Sequence, residues 1–233
     1  MPAPLVDAFL LLVNRDPYTL SVIAVSFKVS AASLAIGIAL GLPLGVALGM
    51  TRFGGRVGFL ILVNAAMGLP PVVIGLFTFM ALRRDGIFGD AELLFTPTAM
   101  VLAQVPLIAP LIAGITMAAI GALPSKLRLQ ARGLGAGRLQ EARLLIRETR
   151  PSLFAACIAG FGTSIAEVGA ILITGGNLLV GGENYTRTMT TAIVLETRLG
   201  NFARATAFAL ILLLCVLVVN VFLTRAQISG GER

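Results

Sequence analysis

The chain has 233 residues, of which 57% are hydrophobic and 12% charged, with a net charge of +7 and no histidine. Soluble domains carry about a quarter charged residues; here the apolar residues gather in blocks of twenty or more, which points to lipid and away from one compact water-soluble core. The lack of imidazole excludes metal and catalytic chemistry that depends on it, and basic residues placed between apolar blocks, not on one soluble face, argue against a nucleic-acid partner.

The first stretch, Met1 to Asn14, holds a short apolar run, Ala8 to Val13, beside Asp7 and without a basic leader. It reads as a short interfacial helix and not as a cleaved signal, within an outer-side segment 1–18. A membrane span needs roughly 20 apolar residues, and five segments qualify: 19–50, 57–82, 95–120, 153–175 and 205–224. The first is too long for one straight crossing, so it tilts or starts at the interface; Val29 to Met50 carries no charge and could span alone. It also carries Gly37, Gly41, Gly45 and Gly49, each four residues apart. That spacing makes one smooth stripe that lets a second backbone approach closely, from another span or from a second copy of the chain.

The second span contains Pro70-Pro71 after Gly68, and the third contains Pro106 and Pro110. Proline removes a backbone donor and clashes with the preceding turn. Such breaks persist at membrane depth when neighbouring helices or a water-lined cavity satisfy the freed carbonyls. They predict a pathway-lining role, with inert kinks as the alternative. The fourth and fifth spans contain Cys157 and Cys215, read as small apolar residues. The predicted fold is therefore all-α: a single polytopic domain over 19–224 and a tail over 225–233.

Basic residues of the connecting segments set the orientation. Arg52 and Arg56 follow the first span; Lys126, Arg128, Arg132, Arg138, Arg143, Arg147 and Arg150 follow the third; Arg225 and Arg233 end the chain. With Glu141, Glu148 and Glu232 this side holds eleven basic and three acidic residues. The other side holds Arg15, Arg83, Arg84, Arg187, Arg198 and Arg204 against Asp7, Asp16, Asp85, Asp90, Glu92, Glu183 and Glu196. The first side is predicted to be cytoplasmic, with the N-terminus outside and the C-terminus inside.

The loop 124–151 is the most informative segment. Pro124 suits a first helical turn and Gly135 a helix stop. Leu127, Ala131 and Leu134 share one face; after Gly137 a second pattern begins with Leu139, Ala142, Leu145 and Ile146. Two short amphipathic helices joined by a glycine turn are expected, with Arg and Lys on their wet faces. Such a hairpin could rest on anionic lipid or dock a cytoplasmic partner.

Two kinds of polar residue fall at membrane depth. Glu167 is the only acid inside a predicted span, so it should be paired, protonated or facing a cavity. As a carboxylate it would repel an anion, so it is expected to be structural, a hydrogen-bond anchor or a partner of Lys28, unless Lys28 snorkels to the surface. Asn64, Gln104, Thr163 and Ser164 could line a pathway or bond between helices.

Ala131-Arg132-Gly133-Leu134-Gly135-Ala136 resembles the EAA loop of ABC-importer permeases. The family's glutamate is replaced by Leu129 and its first alanine by Gln130, while Ala131 and Gly135 are kept; Arg147-Glu148 stand where the family has Leu-Pro. Asp16-Pro17-Tyr18, Ser21-Val22-Ile23 and Lys28-Val29-Ser30 resemble the start of tungstate-type permeases. Ile165-Ala166-Glu167-Val168-Gly169-Ala170 with Gly175-Gly176-Asn177 is similar to a segment shared by tungstate, molybdate and sulfate permeases. Thr186-Arg187-Thr188-Met189-Thr190-Thr191-Ala192-Ile193 and Leu195-Glu196-Thr197 again look tungstate-like.

The resemblance implies a permease of the prokaryotic inner membrane. It implies a second copy of the chain with the pathway at the interface, two cytoplasmic ATPase subunits and an external oxyanion-binding protein. In that family the loop docks into a groove of the ATPase, which would assign coupling to Leu127, Ala131, Leu134, Gly135, Leu139 and Ala142. The chain has no G-x-x-x-x-G-K-[ST] phosphate loop, so ATP and Mg are expected on another polypeptide, with no cofactor or metal here. Molybdate or sulfate are alternative cargoes. An ATP-independent carrier is the alternative class, but a carrier has no need of a two-helix dock.

Overall fold

The computed structural model describes residues 6, 9–10, 16–51 and 53–231. Most of the expected interfacial helix over 1–14, and Arg15, Arg52, Glu232 and Arg233 of the charge count, lie outside the described residues.

Helix α1 (Pro17–Met50) begins where local chemistry dictates. The Asp16 carboxylate accepts the Thr19 N–H at 2.8 Å, and Pro17 occupies the first turn, where its missing donor costs nothing. At ~1.5 Å per residue, its 34 residues exceed a hydrocarbon core of ~30 Å. Helix α4 (Pro97–Ala122) starts in the same way, with Thr96 as its cap. Pro106 and Pro110 do not break it; the helix runs through both, losing only the donors that would face the Leu102 and Pro106 carbonyls.

Three helices, α1, α4 and the last, are long and apolar enough to cross a membrane, and two bent pairs stand where the other two expected spans fall. Helices α2 (Arg56–Met67) and α3 (Pro71–Leu82) meet at 99° across Gly68-Leu69-Pro70, where the proline pair stops the first helix. Helices α7 (Arg150–Ala166) and α8 (Gly169–Gly175) meet at 55° across Glu167-Val168. The second break corrects the expectation of one continuous helix over 153–175. Between them, α5 (Ser125–Gly133) and α6 (Arg138–Glu148) form the expected hairpin. After α8 come a small β-hairpin, β1 (Leu179–Val180) with β2 (Glu183–Asn184), and a short helix α9 (Met189–Arg198). Neither has a counterpart among the expected elements. Helix α10 (Phe202–Gly231) closes the chain and runs on past residue 225, so the expected tail begins as helix.

The glycine stripe is the seam between α1 and α4. A Cβ on Gly37 would lie 2.5 Å from Ile108 Cγ2, one on Gly45 2.5 Å from the Ala113 carbonyl, and one on Gly49 3.0 Å from Ile120 Cβ. The partner of the stripe is thus a span of the same chain. A second seam joins the two broken spans: a Cβ on Gly75 of α3 would lie 2.6 Å from Ala170 Cα of α8. A separate apolar cluster of Val22, Phe161, Ile165, Met189, Ala192, Phe208 and Ile211 binds α1, α7, α9 and α10 together.

Candidate functional site

Two regions bring chemistry-bearing residues together: the basic hairpin α5–α6 and the junction of the broken spans.

In the hairpin, α5 ends in a Schellman motif. The Ala136 N–H bonds the Ala131 carbonyl and the Gly135 N–H bonds the Arg132 carbonyl, each at 3.0 Å. Gly135 takes φ +84°, the left-handed conformation that its place past the helix end requires. The six residues that the sequence assigns to coupling split into two groups. Leu134 and Leu139 are 90% and 78% exposed and flank Gly135 at the tip. Ala131 is buried, while Leu127 and Ala142 are half-buried against the cluster of Val46, Ile120 and Leu145. Leu127 and Ala142 pack the hairpin on α1 and α4, and none of the three forms an outer face.

Sequence reasoning counted Glu141 only as a charge, yet it is the centre of the hairpin. Its side chain is 2% exposed. Oε1 accepts Arg128 Nε at 2.9 Å and Arg132 Nη2 at 3.2 Å, and Oε2 accepts Arg132 Nε at 2.9 Å. Arg132, assigned to the wet face, is instead drawn to this carboxylate, although its side chain stays 57% exposed. The Arg132 hydrogen bond, opposed by burial and aided by Arg128, holds the Glu141 carboxyl below its ordinary range. A depressed folded pKa means that the stabilisation is present above the unfolded carboxylate pKa. It is lost only as pH falls through the lower folded value.

At the junction, Glu167 anchors a helix. Its Oε1 accepts the Ala170 N–H at 3.0 Å, in the first turn of α8, and the Thr190 hydroxyl donates to its carbonyl at 3.0 Å. Lys28 is exposed and pairs with no carboxylate among the described residues. The Lys28–Glu167 pair is therefore corrected to the hydrogen-bond anchor, because the backbone donor lies within the same turn. Gln104 and Ser164 are both buried. Gln104 Nε2 donates to the Ser164 carbonyl at 2.7 Å and Ser164 Oγ donates to Gln104 Oε1 at 2.9 Å, so the two close on each other and tie α4 to α7. Asn64 and Thr163 are exposed. Thr163 lines a groove of about 320 Å³ with Met67, Gly68, Leu69, Pro70 and Leu107, directly at the first break. The N-terminus of α3 opens there and no side chain caps it.

The threonine-rich segment before and within α9 serves this junction. The Thr186 hydroxyl donates to the Gly175 carbonyl at 2.6 Å and accepts the Leu178 N–H at 2.8 Å. The Met189 N–H donates to Ser26 Oγ of α1 at 2.8 Å. Arg187 lies 5.6 Å from the Tyr18 ring centre, donates to the Tyr18 hydroxyl at 2.7 Å and reaches Asn177 Oδ1 at 3.2 Å. These bonds satisfy backbone groups at the end of α8 and the start of α9, and the Thr190 bond to the Glu167 carbonyl satisfies one that the second break frees.

Residues 37–227 match the family described as binding-protein-dependent transport system inner membrane component. The chain is 40% identical over 204 residues to a probable anion ABC transporter permease protein of Haloferax volcanii, covering 87% of this chain and 88% of that one. It is 36% identical to the tungstate uptake system permease protein TupB of Peptoclostridium acidaminophilum, covering 93% of each. In fold it is similar to a chain from inward-facing conformations of the MetNI methionine ABC transporter. The TM-score is 0.73 at 19% identity, over 91% of this chain and 96% of that one.

Proposed function

The chain belongs to the inner membrane components of binding-protein-dependent transport systems and is a permease subunit of an ABC importer; from that premise we propose that its cargo is an oxyanion, tungstate. The observation that carries the cargo is the identity of 36%, over 93% of both chains, with a permease named for tungstate uptake. The chain itself makes and breaks no covalent bond. ATP and Mg act on two separate cytoplasmic ATPase subunits, an external binding protein delivers the anion, and two copies of this chain form the pathway between them. The hairpin faces the cytoplasm, as does the C-terminus; the N-terminus lies outside.

In this reading the tip of the hairpin, Leu134-Gly135 with Leu139, is the surface offered to the ATPase. Leu127, Ala131 and Ala142 act from within by holding the tip in place. The groove at the first break is the part of the pathway that this chain contributes. The positive end of the α3 dipole faces it, which favours a passing anion without any fixed cation. Thr163 in the groove and the exposed Asn64 of α2 outside it offer weak donors, which suits a conduit, since tight binding would stop passage. The closed Gln104–Ser164 pair is a helix tie and takes no part.

Deletion of the chain from its host tests the cargo. High-affinity tungstate uptake from trace concentrations should fall to background, with molybdate and sulfate uptake unchanged. If tungstate uptake persists while molybdate or sulfate uptake fails, the cargo is the other anion.

A further inference from the structure

The buried carboxylate of the hairpin does more than staple its two helices. Arg128, whose Nε holds Glu141 Oε1, also donates through Nη2 to the carbonyl of Met50, the last residue of α1. Carbonyls in a last helical turn have no partner within their own helix, so this one is free to receive a side chain. An unbroken line of charge-assisted bonds thus runs from α6 through Glu141 and Arg128 to the end of α1. We propose that Glu141 is a positioning residue for coupled transport. Through Arg128 it fixes the hairpin to α1, so that a displacement of the hairpin moves the 34-residue helix and, across the glycine seam, α4.

Two observations carry this beyond a local brace. First, Arg132 alone would hold α5 to α6, because it already makes a two-pronged contact with both oxygens of Glu141. The Arg128 bond to Glu141 is redundant for the hairpin, but its second bond to Met50 is not. Second, the other contact between the hairpin root and the spans is apolar: Leu145, fully buried, against Val46 and Ile120. Apolar contacts are non-directional and let surfaces slide. The hydrogen-bonded line is directional and resists that sliding. Arg128 and Arg132 therefore have separate jobs, although both touch the same carboxylate.

The test uses the complete complex of permease, ATPase and binding protein in liposomes, with whichever of tungstate, molybdate and sulfate the wild type imports. The readout is ATP hydrolysed per anion imported, which a purely structural bond would not move. Arg128→Ala cuts the line to Met50 and leaves Arg132 on Glu141. The ATPase should still co-purify in the wild-type ratio, while ATP used per anion rises roughly tenfold or more, the scale of one lost charge-assisted hydrogen bond. Arg132→Ala leaves the line intact and should keep the wild-type stoichiometry. A wild-type stoichiometry for Arg128→Ala, or an equal rise in both variants, overturns the proposal. Should Arg128→Ala fail to assemble, Arg128→Lys keeps a charge beside Glu141 but lacks the forked guanidinium that holds Glu141 and Met50 together: a raised stoichiometry supports the proposal and an unchanged one overturns it. A wild-type complex that imports nothing in response to ATP would defeat the transport reading itself and this inference with it.

Discussion

Gly135→Val should insert in the membrane and dimerise like the wild type, yet lose ATP-driven transport. Space is not the reason, because a Cβ at this position would meet nothing within 4 Å. The reason is the backbone. Gly135 sits at φ +84° as the residue just past the end of α5, and both bonds of the Schellman motif depend on that conformation. Valine is stiff at χ1 and strongly disfavours the left-handed region, so the turn must strain or open at a cost of roughly 1–3 kcal/mol. Opening rotates α6 relative to α5 and moves Leu139 away from Leu134, the two exposed side chains at the tip. Two helices that must fit one partner surface together tolerate little error of angle. Gly135→Asn is the control, because asparagine enters the left-handed region far more readily and should keep most transport. Transport, substrate-stimulated ATPase activity and co-purification of the ATPase decide the matter. Normal transport by the valine variant would leave a lipid-resting hairpin as the better account.

Gly41→Leu should sharply lower the yield of folded protein. In the middle of the α1–α4 seam, a Cβ on Gly41 would run into the backbone carbonyl of Ala109 and lie 2.9 Å from Ile112 Cβ. A carbonyl on a helix cannot swing aside as a side-chain tip can, so the two helices must separate along the row. Overpacking costs about 1–3 kcal/mol where neighbours can adjust, and a backbone neighbour places this site at or above that range. The seam also involves Gly37, Gly45 and Gly49, so a local gap propagates in both directions. Gly121→Leu, on α4 where a Cβ would meet nothing within 4 Å, is the control for adding leucine to a membrane helix. The measurement is the monodisperse fraction after detergent extraction, with the thermal midpoint. A Gly41→Leu protein equal to Gly121→Leu in both would show that the close approach is not needed.

What could be read from the sequence follows from how local each cause is. The five apolar segments, the stop at Gly135, the break at Pro70-Pro71 and the glycine spacing each rest on chemistry within a turn or two. The break at Glu167-Val168 did not show, because apolar residues continue on both sides of it. What makes it stable comes partly from Thr190, 23 residues later, through an element that hydropathy does not announce. Gln104 and Ser164 are 60 residues apart, and in sequence two polar residues at membrane depth look the same as ligands or as partners. The role of Glu141 stayed hidden for a related reason. A charge count sees two acids among seven bases in the loop, and only the fold shows that two of those bases converge on Glu141 from the opposite helix. Lys28 drew attention as the only other charge inside a predicted span, but pairing depends on which face of α1 it occupies, and it faces out.

Reconstitution shows whether this chain forms the pathway of an ATP-driven oxyanion importer. The chain is purified with its ATPase subunit, placed in liposomes with the external binding protein, and tungstate accumulation is followed with and without ATP. The chain and the ATPase should co-purify in equal copy number, two of each, and tungstate should accumulate against its gradient only when ATP and the binding protein are both supplied. Tungstate uptake by the chain alone, stable and indifferent to ATP, would contradict it.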